Sequence, residues 1–288
     1  MKSEGVVIAA HGRHYQVELT DGETLLCFPR GKKSDLACGD CVSVVRNGES
    51  QGVIETTMPR RTLLFRSDRY RQKLIAANVS QVVIVVATIP TFSEELITRC
   101  LIAAESQDIN TLILLNKCDL ADRIEPARKA LSPFENLCYP ILELSAHASV
   151  DALRPMLVGH TSVFVGQSGM GKSTLINALI PQANARTKEI STSLDSGKHT
   201  TTHATLYRLD SDSAIIDSPG LQEFGLHHLS VQELELGFRE FRPLLGQCRF
   251  RNCLHHHEPG CVIHEALGDK RISTSRYTVF RTLVDEID

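Results

Sequence analysis

The stretch FVGQSGMGKSTLINAL, residues 164–179, constrains this chain more than any other. It joins an apolar strand, a glycine-rich loop and an amphipathic helix, and the loop reads Gly166-x-x-x-x-Gly171-Lys172-Ser173. This is the phosphate-binding P-loop pattern: its glycines allow an anion-cradling nest of backbone N–H groups, and its lysine supplies positive charge. Such a loop usually follows the first strand of its domain. Here it lies past the middle of a 288-residue chain, so the segment before it has to be accounted for.

From residue 80 the apolar residues run continuously in QVVIVVAT and TLILLNKCD, as buried parallel strands require, with a helix read over 94–107 between them. A polar helical region, the strand YPILELSA, a short helix and the strand TSVFVG lead to the P-loop. After it, THATLYRL and SAIIDSPG read as adjacent strands joined by a turn at Asp210–Asp212. This alternation is a doubly wound α/β domain, whose ligands bind at the carboxyl ends of its strands.

Those ends carry matched chemistry. Asn116-Lys117-Cys118-Asp119 closes one strand, and the Asp119 carboxylate can accept from the ring N–H and exocyclic amine of guanine, a donor pair that adenine lacks. Ser145-Ala146-His147 closes the next, where the Ala146 N–H can meet the guanine carbonyl. Asp217-Ser218-Pro219-Gly220 closes a third, with a carboxylate for a metal ion and a glycine N–H for the terminal phosphate. With the loop residues Gly166, Gln167, Ser168, Gly169, Met170, Gly171, Lys172, Ser173 and Thr174, these motifs read as a GTP site. In ordinary GTPases the guanine motifs follow the phosphate loop. Here they precede it, and the domain reads as circularly permuted, which is tolerable because domain termini often lie close together.

Five short β-rich runs broken by turns such as Asp21-Gly22 and Asn47-Gly48 fill the first sixty residues and suggest a small closed barrel of the oligonucleotide-binding (OB) type. Residues 1–75 carry 12 Lys/Arg against 9 Asp/Glu, a net of +3, which leaves −6 on the rest of a chain of net charge −3. The basic run RRTLLFRSDRYRQK reads as a solvated linker or as a contact for phosphate backbones. Cys38-Gly39-Asp40-Cys41 has no second ligand pair near it and reads as a turn into a strand. At the other end, a helix is read over SVQELELGFREF. Then Cys248-x4-Cys253-x-His255-x5-Cys261 offers three thiols and an imidazole, enough for a closed, structural zinc site. On spacing alone His256 or His257 could replace His255. No run has the length of a membrane span and no signal peptide is read, so a cytoplasmic location with reduced thiols is expected.

The small barrel, NKCD, SA, GQSGMGKST, DSPG and the Cys-Cys-His-Cys segment together resemble the ribosome small-subunit-dependent GTPase A family (RsgA, also called YjeQ). IAANVSQVVIV, SGKHTTTHATLYRL and LQEFGL extend the likeness over nearly the whole chain. The resemblance implies an OB-type barrel (1–68), a circularly permuted P-loop GTPase domain (69–225) and a helical zinc-binding domain (226–288). It implies GTP hydrolysis stimulated by the small ribosomal subunit, coupled to late maturation of that subunit and to the protein's own release. It also implies that the barrel and the zinc domain dock on ribosomal RNA, and it assigns one structural zinc to Cys248, Cys253, His255 and Cys261. A monomer is expected. The alternative is an RNA-binding assembly scaffold in which GTP is a structural ligand.

Roles follow for single residues. Lys172 meets the β- and γ-phosphates, and Ser173, Thr201 and Asp217 hold Mg²⁺, with Thr200 an alternative to Thr201. Leu221 stands where many GTPases carry a water-orienting glutamine, so slow intrinsic hydrolysis is expected. His199 or a group from the ribosome is the candidate replacement.

Overall fold

Alternation of buried and exposed side chains builds the first unit. The computed structural model describes residues 2–12, 14–31, 35–67, 72–181, 204–218 and 226–287. Strands β1 (Lys2–His11), β2 (His14–Leu19), β3 (Thr24–Pro29), β4 (Cys41–Arg46) and β5 (Gln51–Thr57) close into a barrel. β1 pairs with both β2 and β4, β2 with β3, β4 with β5, and β3 runs parallel to β5. Closure removes the free edges that a five-stranded sheet would otherwise present. The inward residues, among them Val7, Val17, Leu25, Val44 and Ile54, form a core of their own.

The basic run after the barrel is more than a linker. Leu63–Ser67 (β6) and Gln72–Ala77 (β7) form an antiparallel hairpin that straddles residue 68. It buries Leu64, Ile75, Ala76 and Ala77, with both faces of the end of β7 covered, a pattern that the intervening charges hide in the sequence. The Cys38–Cys41 turn welds this hairpin to the barrel. Gly39 donates to the Val7 carbonyl (2.8 Å), and Ala77 donates to the Cys38 carbonyl (2.8 Å). Asp40, fully buried, accepts from Arg60 Nε at 2.7 Å and the Ala37 N–H at 2.8 Å. Only glycine suits position 39, because its φ is +92° and a Cβ there would meet the Ala77 carbonyl oxygen at 2.2 Å.

The central sheet contains β8 (Gln81–Ala87), β9 (Asn110–Asn116), β10 (Ile141–Glu143), β11 (Thr161–Val165), β12 (Thr205–Arg208) and β13 (Ala214–Asp217). Its order is β10-β9-β8-β11-β13-β12, parallel throughout except for the antiparallel β12. Helices α1 (Glu94–Glu105), α2 (Ala121–Asn136), α3 (Arg154–Leu157) and α4 (Lys172–Leu179) belong to this unit. Every residue of β8 is buried, which is why its sequence shows no alternation. β12 also pairs with β1 at Ala9 and Thr205, so the sheet runs on into the barrel.

The C-terminal unit holds α5 (Val231–Gly237), a 3₁₀ turn at Arg242–Leu244, α6 (Val262–Gly268) and α7 (Thr274–Ile287). The helix read through residue 241 stops at Gly237. Beyond it Phe238 becomes extended, and its ring stacks on Phe241 at 5.0 Å and meets Phe280 edge-on at 5.5 Å. All three rings are fully buried, and burying them outweighs one more helical turn. Ion pairs fasten this unit to α1. Arg239 and Arg242 bind Glu105 at 2.6 and 2.7 Å, and Arg99 binds Glu286. Arg276 is buried between Glu240 (2.7 Å) and Thr98 Oγ1 (3.0 Å). Among the described residues, no helix is long and apolar enough to cross a membrane.

Candidate nucleotide site and metal centre

Five strands run parallel, so their carboxyl ends share one edge, and the motifs meet there. Asn116 ends β9 with its side chain buried. Its amide donates to the Met170 carbonyl in the P-loop (3.0 Å), and its carbonyl oxygen accepts the Ala146 N–H (3.0 Å). One side chain thus ties the phosphate loop to the loop after β10. Lys117, in the left-handed region at φ 62°, sends its ammonium over the same loop to the carbonyls of Gly169 (2.7 Å) and Ile89 (2.8 Å). Gly171 makes room for this arrangement, since at its φ of +93° a Cβ would stand 2.3 Å from the Asn116 amide nitrogen.

Asp119 is fully exposed beyond this contact. The Ser145 hydroxyl beside it, then its own backbone N–H, hold its carboxyl below the ordinary carboxylate range. The Asn116–Asp119 and Ser145–His147 motifs touch through the Ala146-to-Asn116 bond, and the lowered pKa keeps the Asp119 carboxylate ionised.

Lys172 opens α4, with Gly171 as its N-cap. Its ammonium folds back to the carbonyls of Gly166 (2.6 Å) and Gln167 (2.8 Å). Burial pushes the Lys172 pKa down and that of Asp217 up, while the charge of each partly offsets the shift of the other. A cation in the first turn of α4 and an anion at the end of β13, both partly stripped of water, thus act on each other. Ser173, exposed in the first turn of α4, and Asp217 offer the oxygen donors that a hard cation such as Mg²⁺ takes.

Other loop residues serve the scaffold. The Gln167 side-chain Oε1 accepts the Ser93 N–H just before α1 (3.0 Å), Met170 is fully buried, and the Cys118 thiol donates to the Leu115 carbonyl (3.3 Å). Gly166, Ser168, Gly169 and Thr174 sit along the loop and the first turn of α4 as the pattern requires. The Ala146 N–H, expected to meet guanine, is directed at Asn116 instead. Nothing local in the sequence signals this, because the two residues are thirty positions apart. His199, Thr200, Thr201, Gly220 and Leu221 lie outside the described residues.

The second constellation is the Cys248, Cys253, His255 and Cys261 cluster, whose ligand atoms all lie within 4.8 Å of one another. His255 Nδ1 lies 3.6, 3.5 and 3.3 Å from the sulfurs of Cys248, Cys253 and Cys261, and the Cys248 and Cys261 sulfurs are 4.0 Å apart. Tetrahedral zinc bond lengths place a sulfur and a nitrogen about 3.6 Å apart and two sulfurs about 3.8 Å apart, so the set fits zinc. His256 and His257 stack on each other at 3.8 Å and are not part of this set, which removes the ambiguity left by spacing. The imidazole's far nitrogen, Nε2, lies 3.2 Å from Glu235 Oε1 on α5.

The RsgA GTPase family model matches residues 57–227. A small ribosomal subunit biogenesis GTPase RsgA from Nitrosospira multiformis is 52% identical over 284 residues, 99% of this chain and 91% of the relative. The protein of the same name from Burkholderia pseudomallei is 52% identical over 99% of this chain and 92% of its own length. Among solved structures, YjeQ from Thermotoga maritima superposes with a TM-score of 0.75 at 30% identity, covering 100% of this chain and 99% of that one. YloQ, described as a circularly permuted GTPase, gives 0.71 at 26% identity, covering 100% and 95%. With its permuted strand order, its P-loop clasped to the guanine motifs and this degree of identity along its length, the chain belongs to the RsgA GTPase family.

Proposed function

We propose that this chain hydrolyses GTP in the biogenesis of the small ribosomal subunit, the role named for its relatives. The observation that carries the reading is the Asn116 clasp. It brings a guanine-reading motif and a phosphate loop side by side although the chain orders them in reverse. Asp119 selects guanine, and backbone N–H groups of residues 166–174, with the Lys172 ammonium, hold the phosphates. Phosphoryl transfer of this kind is almost wholly positioning and electrostatics. The partial burial of Lys172 therefore raises the worth of its charge to the transition state. Bound Mg²⁺ adds charge neutralisation at the transferred group; Ser173, Thr201 and Asp217 are the residues that would hold it. Gly220 contributes an N–H to the terminal phosphate. With Leu221 unable to align water, His199 or a group supplied by the subunit orients the nucleophile.

The three units are taken as 1–68, 69–225 and 226–288, with the hairpin at residues 63–77 as the joint between the first two. The net +3 of residues 1–75 supports contact of the barrel side with ribosomal RNA. Zinc held by the Cys248–Cys261 set closes residues 248–261 of the third unit, a stretch too poor in apolar residues to fold by itself. The protein acts as a cytoplasmic monomer, released from the subunit after hydrolysis. The test is multiple-turnover phosphate release with and without purified small subunits. The expected result is turnover that rises and saturates with subunit concentration. Turnover indifferent to subunits, with GTP still bound, would leave the scaffold reading in its place.

A further inference from the structure

One carboxylate beside the metal centre is not among its ligands. Glu235 has 14% of its side chain exposed, and it faces His255, whose own side chain is 5% exposed. An imidazole offers one ring nitrogen to a metal and carries the proton on the other, and the partner of the protonated nitrogen decides which is which. In His255, Nδ1 is turned into the three sulfurs and Nε2 toward Glu235 Oε1 at 3.2 Å. The ring is held from behind as well. The backbone of His255 is left-handed at φ 57°, and its carbonyl accepts the Tyr277 hydroxyl at 2.7 Å.

Glu235 is equally constrained, by elements outside the zinc loop. α5 starts with a capping box in which the Glu233 carboxylate accepts the Ser230 N–H (2.8 Å) and the Ser230 hydroxyl accepts the Glu233 N–H (3.3 Å). Leu234 is fully buried, and Gly237 lies so close to α1 that a Cβ there would meet Ile102 Cγ2 at 2.8 Å. The helix cannot slide or roll without breaking one of these contacts. The other acidic residue of α5, Glu233, is used by the cap. Glu235 alone on α5 reaches the metal centre.

We propose that Glu235 is a positioning residue for the metal centre: it fixes His255 as an Nδ1 ligand and thereby sets metal affinity. The docking of α5 on the GTPase unit and the occupancy of the zinc site are then mutually dependent. α5 starts 11 positions after Gly220 in the chain, so the metal loop braces the next described helix after the Asp217–Gly220 motif. The inference rests on the zinc reading of the Cys248–Cys261 set.

The experiment uses full-length protein loaded with zinc and titrated against a chromophoric chelator. Glu235→Ala is expected to lower zinc affinity about 10–100-fold, the usual effect of removing the partner of a metal-bound histidine. Glu235→Gln keeps an oxygen to accept the Nε2 proton but loses the charge, and is expected to fall between Ala and wild type. Gln232→Ala, on the exposed side of α5, should match wild type. If Glu235→Ala does not fold, Glu235→Gln decides by the same criterion. A second readout is amide exchange: chelation should speed exchange in α5 of the wild-type protein and change it little in Glu235→Ala. Zinc affinities of both Glu235 variants within about twofold of wild type, or α5 exchange indifferent to chelation in the wild type, would overturn the proposal. Wild-type protein that binds no zinc would instead overturn the zinc reading beneath it.

Discussion

Asn116→Ala tests the clasp on which the nucleotide site depends. The substitution removes both hydrogen bonds of a side chain that is 2% exposed, leaving the Met170 carbonyl and the Ala146 N–H without partners. Each buried group left unpaired costs about 1–3 kcal/mol, so the total is about 2–6 kcal/mol. Part of this will appear as lost fold stability and part as lost nucleotide affinity, according to how far the loops relax in the free protein. Were it all affinity, a factor of ten per 1.4 kcal/mol makes the loss about 30-fold to about 10⁴-fold. Asn116→Asp still accepts from Ala146 but turns a buried carboxylate oxygen toward the Met170 carbonyl, so it should cost at least as much as Asn116→Ala. Titration with a fluorescent GDP analogue reads the affinity part, and urea unfolding of the same preparations reads the stability part. A combined loss below about 1 kcal/mol in Asn116→Ala would refute the reasoning, since the clasp would then hold nothing.

Three further outcomes are expected. Asp119→Asn should weaken GTP binding and favour xanthosine triphosphate, whose ring offers the complementary acceptor; unchanged GTP affinity with no gain for the xanthine nucleotide would contradict the guanine assignment. Glu240→Ala strands the buried Arg276 guanidinium and should lower stability by about 3–5 kcal/mol in urea unfolding, whereas a loss under about 1 kcal/mol would show that Arg276 finds another partner. Burial would raise the Glu105 pKa, but its bonds to Arg242 and Arg239 outweigh this and depress it. Its contribution is therefore complete above the unfolded carboxylate value of about 4.3 and is lost as pH falls through the lower folded value. Acid unfolding below about pH 4.3 should accordingly be less steep in Glu105→Gln than in wild type, and identical acid limbs would remove Glu105 from the account.

The sequence alone determined the family and the motifs that mark its strand ends. A P-loop, an Asn-Lys-x-Asp tetrad and an Asp-x-x-Gly turn are local patterns, because each works through a few adjacent residues at one strand end. Barrel strands were legible from alternation and the central strands from continuous apolar runs, both direct consequences of which faces are covered. The order of the motifs was enough to reveal the permutation. What sequence could not show depends on partners far apart in the chain. The hairpin at residues 63–77 was masked because its charges stand among the few apolar residues that it buries. The helix end at Gly237 was decided by the Phe238, Phe241 and Phe280 rings, which meet only after α7 returns to the core. The Asn116 bonds to Met170 and Ala146 and the Glu235 contact with His255 join segments at least twenty positions apart. Tertiary structure alone decides these, since a hydrogen bond is set by where the folded sheet and helices place a donor and an acceptor, and the residue types fix only what each can give.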